Sequence, residues 1–409
     1  VESRGLGDVY KRQLQSRGDK TDILQWLQVC DNGEAAFFAE DYRAFRDAEG
    51  VVEPEVTACD DDMLYIMYTS GTTGLPKGVV HTHHTAIWGL FSIAATANYN
   101  IPERFLACLP MFHVGALTPL AVNVYRGVTS VVMRSFDPLA AWKIIESEKI
   151  TSALCVPAML NFMVQVPNFE DFDRSTLRWI MTGAAPVPVA LTQQYQSMGI
   201  SIQQVYGLTE TCGPACLMDG EGAIKRPEST GKAFFHTEVK IVDDSGNDCP
   251  AGTAGEVLVR GEHIMTEYWN RPDATAETLV DGWLRTGDVA MMDEEGYVSI
   301  QDRIKDMIIS GGENVYPAEI EGVLMSHESI AEAAVIGQES ETWGESPLAI
   351  VVKTDDSLST AEVLEYCQGK LARFKQPKAV EFIDVIPRNP SGKILKRVLR
   401  EQYPAKADV

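Results

Sequence analysis

The chain has 409 residues, 45% of them hydrophobic and 23% charged, a globular composition long enough for two or three domains. Its 35 Lys and Arg stand against 58 Asp and Glu, and the formal net charge of −23 gives an average field that repels nucleic acid and anionic membranes. A polyanionic ligand would therefore need a site that concentrates positive charge locally.

The opening VESRGLGDVYKRQ has neither periodicity nor the apolar core of a signal peptide, and reads as a non-native leader. Residues 14–60 are polar and acidic, which predicts loops with a short helix. MLYIMY (63–68) is a short unbroken apolar run, the pattern of a strand buried on both faces. Similar runs recur at RFLACLP, SVVMRS, SALCVP, RWIMTGAAP and SIQQVYG, with helical spacing over 137–148 and 187–198. That alternation predicts an α/β fold, a parallel sheet with helices on both faces.

After about residue 230 the texture becomes β-rich. TEVKIVDDSGNDCPAGTAGEVLVRG reads as a hairpin turning at Asp244-Ser245-Gly246, and GYVSIQDRIKDMIISGG as a hairpin running into a linker. Beyond it, helical spacing over 317–326 and 360–372 and the strand-like AAVIG, PLAIVVK and AVEFIDVIP predict a small α+β domain. Cysteines at 30, 59, 108, 155, 212, 216, 249 and 367 form no CxxC pair, so reduced thiols in a cytoplasmic protein are expected rather than zinc or disulfides. No apolar run reaches the roughly 18–20 residues of a spanning helix. The basic stretch 370–406 leaves peripheral membrane contact open.

YTSGTTGLPKG, from Tyr68, follows the first apolar run. Its glycines free backbone amides to face an anion, its hydroxyls add donors, and Lys77 adds charge. Thr69, Ser70, Gly71, Thr72, Thr73, Gly74 and Lys77 thus form a phosphate cradle by composition. It is not the Walker pattern, since Pro76 precedes the lysine and Gly78 follows it. A plain Gly/Thr-rich turn is the bland alternative.

The stretch resembles the phosphate signature of the adenylate-forming (AMP-binding) superfamily, which includes acyl-CoA synthetases. Further similar motifs follow in order: TGAAP (182–186), VYGLTE (205–210), GWLRTGD (282–288), DRIKDMIISGGENVYPAEIE (302–321) and PRNPSGKILK (387–396). LPMFHVGALTPL and the last two motifs look most like bacterial, mycobacterial-type long-chain fatty-acyl-CoA ligases. Members carry a longer lead before the phosphate loop, so residues 1–60 read as a partial N-terminal segment. The resemblance then implies an ATP- and acyl-binding domain over 61–302, a hinge at 303–305, and a mobile lid domain over 306–409.

The resemblance also implies roles for individual residues. Gly183, Ala184, Ala185, Pro186, Tyr206 and Gly207 would bind adenine, with the Tyr206 ring stacked on it, and Asp288 and Arg303 would bind ribose. Thr209 and Glu210 would serve catalysis, with Glu210 the metal ligand, because Mg²⁺ beside phosphates takes one or two protein carboxylates. His113 would orient or gate the substrate carboxylate, Lys393 would act on phosphate and carboxylate oxygens, and Lys305 would be the hinge. Gly311, Gly312, Trp343 and Lys378 would meet coenzyme A.

The implied reaction joins a carboxylate and ATP into acyl-AMP and pyrophosphate, then transfers the acyl group to coenzyme A and releases AMP. ATP, Mg²⁺ and coenzyme A are its cofactors and cosubstrates, and no nucleic-acid partner is expected. A ligase of aromatic acids and a non-catalytic nucleotide-binding fragment are the alternatives, and monomer and homodimer are both open.

Overall fold

The computed structural model describes residues 27–29, 39–48, 53, 55–69, 76–97, 103–184, 187–218, 222–226, 228–340, 342–389 and 393–404. It divides into two compact units, Val1–Ala58 and Cys59–Val409. In the first, β1 (Leu27–Gln28) pairs in parallel with β2 (Glu40–Asp41), and the helix Tyr42–Ala48 follows.

The second unit opens with the antiparallel pair β3 (Met63–Thr69) and β4 (Lys77–Thr82), which brackets the phosphate-cradle segment. β4 is buried from Gly78 to Thr82, whereas Met63 and Tyr68 of β3 are 47% and 63% exposed. The expectation of a strand buried on both faces therefore fails for β3. It is outermost among the described strands of its sheet, so its neighbour takes the interior place. The helix His83–Thr96 starts from a reciprocal cap: Thr82 Oγ1 accepts from Thr85 N, and Thr85 Oγ1 accepts from Thr82 N.

Next come β5 (Arg104–Ala107), β6 (Thr129–Val132), β7 (Ser152–Cys155), β8 (Trp179–Gly183) and β9 (Ser201–Tyr206), all mutually parallel. The helices Val114–Arg126, Pro138–Ser147, Pro157–Val164 and Val189–Ser197 connect them, which bears out the expected α/β alternation. β10 (Cys216–Leu217) and β11 (Lys232–Ala233) extend the sheet antiparallel, giving the order β11-β10-β9-β8-β7-β5-β6. Leu106, Trp142, Ile145, Leu160, Ile180, Tyr195 and Ile202 fill one core, each at most 1% exposed. Trp142 stacks on Phe169 and donates from Nε1 to the Met163 carbonyl at 2.9 Å. The segments leaving the carboxyl ends of β5, β8 and β9 carry His113, Ala184 and Gly207, the usual position for a ligand crevice in such sheets.

β12 (Glu238–Val242) and β13 (Gly255–Arg260) form the expected hairpin, its turn fixed by Asp243 accepting from Ser245 N and Asn247 N. β14 (Glu267–Tyr268) leaves this sheet to pair with β4. β15 (Leu279–Val280), β16 (Trp283–Met292) and β17 (Val298–Arg303) complete a five-stranded antiparallel sheet. The hairpin expected within GYVSIQDRIKDMIISGG is not formed there. β17 pairs backward with β16 across the Asp293 turn, and a three-residue turn, Ile304–Asp306, carries the chain into another sheet.

That last sheet contains β18 (Ile308–Ser310), β19 (Glu313–Val315), β20 (Ile330–Ser340), β21 (Gly344–Lys353) and β22 (Ala379–Phe382). The helices Pro317–Met325, Thr360–Cys367 and Lys396–Gln402 accompany it, the α+β texture read from the sequence. The described cysteines are free thiols. Trp142→Ala is expected to lower the unfolding free energy by about 3–5 kcal/mol in urea denaturation, because it empties a fully buried site and removes the indole bond to the Met163 carbonyl.

Candidate active site

Thr69 and Lys77 face each other across the β3–β4 pair, and Thr69 Oγ1 donates to the Lys77 carbonyl at 3.4 Å. Ser70, Gly71, Thr72, Thr73 and Gly74 lie outside the described residues, as do Ala185 and Pro186. The Lys77 ammonium sits over the Tyr268 ring, 4.6 Å from its centroid. Tyr268 reaches it because β14 pairs with β4, placing Tyr268 opposite Val79. Its hydroxyl donates to Glu210 Oε1 at 2.7 Å, and Met265 N donates to the Glu210 carbonyl at 2.8 Å.

The loop bearing Thr209 and Glu210 closes tightly on itself. A Cβ at Gly207 would stand 1.5 Å from the Gly213 carbonyl oxygen, so only glycine fits. Fully buried imidazoles hold its outer carbonyls: His81 Nε2 donates to Thr209 O at 2.8 Å, and His263 Nε2 to Pro214 O at 3.0 Å. Burial pushes both imidazoles down to about 4, so they are neutral single donors near pH 7. Thr118 Oγ1 adds a bond to the Cys212 carbonyl at 2.9 Å.

Asp288 is 3% exposed, and both its oxygens have protein partners. Oδ2 accepts from the Tyr206 hydroxyl at 2.7 Å, and Oδ1 lies 3.0 Å from Arg303 Nε. The β16–β17 register sets the second contact by placing Asp288 directly opposite Arg303. Burial first, and Asp288 second, push the Tyr206 phenol well above its ordinary value, so it remains a donor. Gly183 ends β8, and Ala184 follows with φ of 71°, a left-handed conformation unusual for alanine.

Lys393 enters from the C-terminal sheet region on a narrow turn, in which Lys393 N donates to Asn389 Oδ1 and Asn389 N to Lys393 O, both at 2.9 Å. Burial, then the neighbouring Arg303, push its amine down to about 8, against the pull of Asp288, Asp306 and Glu210. Lys305, on the turn Ile304–Asp306, is pushed down to about 7 by burial and then by Arg303, and it too feels Lys393. Three cations thus crowd beside three carboxylates, Asp288, Asp306 and Glu210.

His113 caps the helix Val114–Arg126, accepting at Nδ1 from Gly115 N at 3.1 Å. The neutral ring therefore carries its proton on Nε2. Burial, then Lys393, lower its pKa. Gly311 and Gly312 have φ of +63° and +87°, and Gly311 N donates to the Trp343 carbonyl at 2.8 Å. Trp343 is 48% exposed and packs on the Gly311 backbone. Lys378, just before β22, sits beside β21, its N–H on the Pro347 carbonyl and its ammonium 3.3 Å from the Arg373 carbonyl.

Among the described residues no group of three or more His, Cys, Asp or Glu could hold a metal by itself. A lone carboxylate at Glu210 fits a magnesium ion bound mainly through phosphate oxygens and water. Sequence reasoning missed Tyr268, His81 and His263.

The AMP-binding enzyme family pattern matches residues 10–269, and that of the AMP-binding enzyme C-terminal domain matches residues 319–393. Over 353 residues the chain is 48% identical to the long-chain-fatty-acid–CoA ligase FadD13 of Mycobacterium tuberculosis, covering 86% of this chain and 70% of that protein. It is 39% identical over 359 residues to a feruloyl-CoA synthase of Amycolatopsis sp, covering 87% and 73%. A solved structure of o-succinylbenzoate coenzyme A synthetase (MenE) from Bacillus subtilis, in complex with ATP and magnesium ion, matches with a TM-score of 0.80 at 36% identity, covering 86% of this chain and 73% of that one. With its ordered motifs, its sheets and these matches, the chain belongs to the AMP-binding enzyme family, in its acid–CoA ligase branch.

Proposed function

We propose that the chain activates a fatty carboxylic acid with ATP and passes the acyl group to coenzyme A. The observation that carries this reading is the convergence of Lys393, from the C-terminal sheet region, on Arg303, Asp288, Glu210 and His113. The higher identity to FadD13 than to the feruloyl-CoA synthase supports an aliphatic acid. An aromatic acid is the second reading, favoured by the same feruloyl-CoA synthase match.

In the first step Lys77 and the cradle 69–74 hold the ATP phosphates, while Asp288 and Arg303 hold the ribose and Tyr206 the adenine. His113 donates from Nε2 to the substrate carboxylate and aims its free oxygen at the α-phosphorus. That oxygen forms a bond to phosphorus as the bond to pyrophosphate breaks. Lys393 stabilises the charge that develops on the transferring phosphoryl and carboxylate oxygens. Magnesium, held by Glu210 with phosphate oxygens, would neutralise charge on the leaving pyrophosphate.

In the second step the thiolate of coenzyme A attacks the acyl carbonyl and AMP leaves with the bonding pair. Lys393 must withdraw for a thiol to approach. The only covalent link between β17 and β18 is the turn Ile304–Asp306, which gives the segment 306–409 a pivot at 303–305. Rotation there would bring Gly311, Gly312 and Trp343 to the pantetheine arm. No described helix is long and apolar enough to cross a membrane.

Palmitate, octanoate and benzoate competing in a pyrophosphate-release assay test the substrate class. The aliphatic acids should turn over faster; preference for benzoate establishes the second reading, and ATP binding without any turnover establishes a non-catalytic fragment. Lys393→Ala should reduce adenylation by about 10²–10³-fold, while thioester formation from supplied acyl-AMP survives. Unaffected adenylation would make Lys393 a tail charge with no part in the first step.

A proton linkage should accompany nucleotide binding. Lys393 at about 8 and Lys305 at about 7 lie below the ordinary 10.5. A charged ammonium is therefore disfavoured in the folded protein, fully so below the native value and not at all above 10.5. Polyphosphate raises both values, so Mg·ATP binding at pH 8 should take up protons. Calorimetric heats in buffers of different ionisation enthalpy should diverge in that direction, and less so for Lys393→Ala. Identical heats in every buffer would contradict the linkage.

A further inference from the structure

Tyr268 occupies a position between two groups that the proposed reaction uses. Its hydroxyl donates to Glu210 Oε1 at 2.7 Å, and the face of its ring lies under the Lys77 ammonium, 4.6 Å from the centroid. The ring is 5% exposed, and Thr278 hydrogen-bonds the same phenol. Its backbone is fixed independently at several points. β14 pairs with β4, Tyr268 N donates to Thr275 Oγ1 at 2.9 Å, and Trp269 N donates to Gly78 O at 2.7 Å. Two residues upstream of β14, Met265 N binds the Glu210 carbonyl.

We propose that Tyr268 is a positioning residue for metal-bound nucleotide. Its hydroxyl fixes the rotamer of the Glu210 carboxylate, and its ring holds the Lys77 ammonium at a set distance from that carboxylate. This rests on the reading in which Glu210 and Lys77 meet Mg·ATP. A carboxylate has two oxygens; the Tyr268 hydroxyl occupies Oε1 and so orients Oε2 for the ion. The phenol also separates the ammonium from the carboxylate. Without it, Lys77 and Glu210 are free to approach each other and neutralise the two charges that should meet the phosphates and the metal. The aromatic face holds the cation by its quadrupole without adding a competing anion.

The reading predicts a selective defect. A hydrogen bond to a charged group is worth roughly tenfold or more in affinity. Tyr268→Phe keeps the ring and removes the hydroxyl, so Mg·ATP affinity measured by calorimetry should weaken about tenfold, with the affinities for metal-free ATP and AMP unchanged. Acyl-AMP formation should demand more Mg²⁺, while thioester formation from supplied acyl-AMP keeps its rate. In a double-mutant cycle on Mg·ATP binding, Tyr268→Phe should add little to Glu210→Gln, and Tyr268→Leu little to Lys77→Met. Unchanged Mg·ATP affinity in Tyr268→Phe overturns the proposal. Parallel loss of Mg·ATP, ATP and AMP binding with a lowered melting temperature overturns it in favour of a packing role. Wild-type chain that binds no nucleotide overturns the functional reading itself.

Discussion

The constraint on which the site depends is the crowding of Arg303, Lys305 and Lys393 in a place with little water. Like charges in such a setting repel strongly and lose hydration, and both amines respond by releasing their protons more easily. Asp288 and Asp306 make the crowding tolerable: Asp288 pairs with Arg303 from the facing strand, and Asp306 pairs with Arg400 at 2.8 Å.

The geometry around the cations comes from elements far apart in sequence. The loop carrying Thr209 and Glu210 leaves one sheet, but its carbonyls are held by His81 from β4 and by His263 and Met265 from the run into β14. Because β4 and β14 are themselves paired, Lys77, Glu210 and the loop form one frame. Lys305 sits on the three-residue turn Ile304–Asp306, and Lys393 lies beyond it in the chain.

The alternation of short apolar runs and helical spacings was enough to read the parallel sheet, because fully buried parallel strands have little choice of composition. The order of the motifs made the family legible. An apolar run does not say whether its strand is central or outermost, which is why β3 was misjudged while β4 held the interior place. Nor does a strand announce the direction of its partner, so β17 was read forward when it pairs backward. Tyr268, His81 and the Tyr206–Asp288 bond were not legible because each joins positions 58, 128 and 82 residues apart, respectively. Such contacts follow from the fold and leave no local spacing to read.

The two buried imidazoles also give the loop an acid limit. Their native values near 4 lie below the ordinary 6.5, so the unfolded chain binds protons more readily than the folded one as pH falls between those values. Their contribution is fully present above 6.5 and is lost as pH drops through 4. In acid the unfolded chain gains, because there both imidazoles can charge in water, whereas in the fold burial opposes their charge and His81 adds to the penalty on His263. The lower end of the enzyme's pH range is thereby tied to two residues whose bonds go to the loop backbone, and acid would undo the frame around Glu210 from behind.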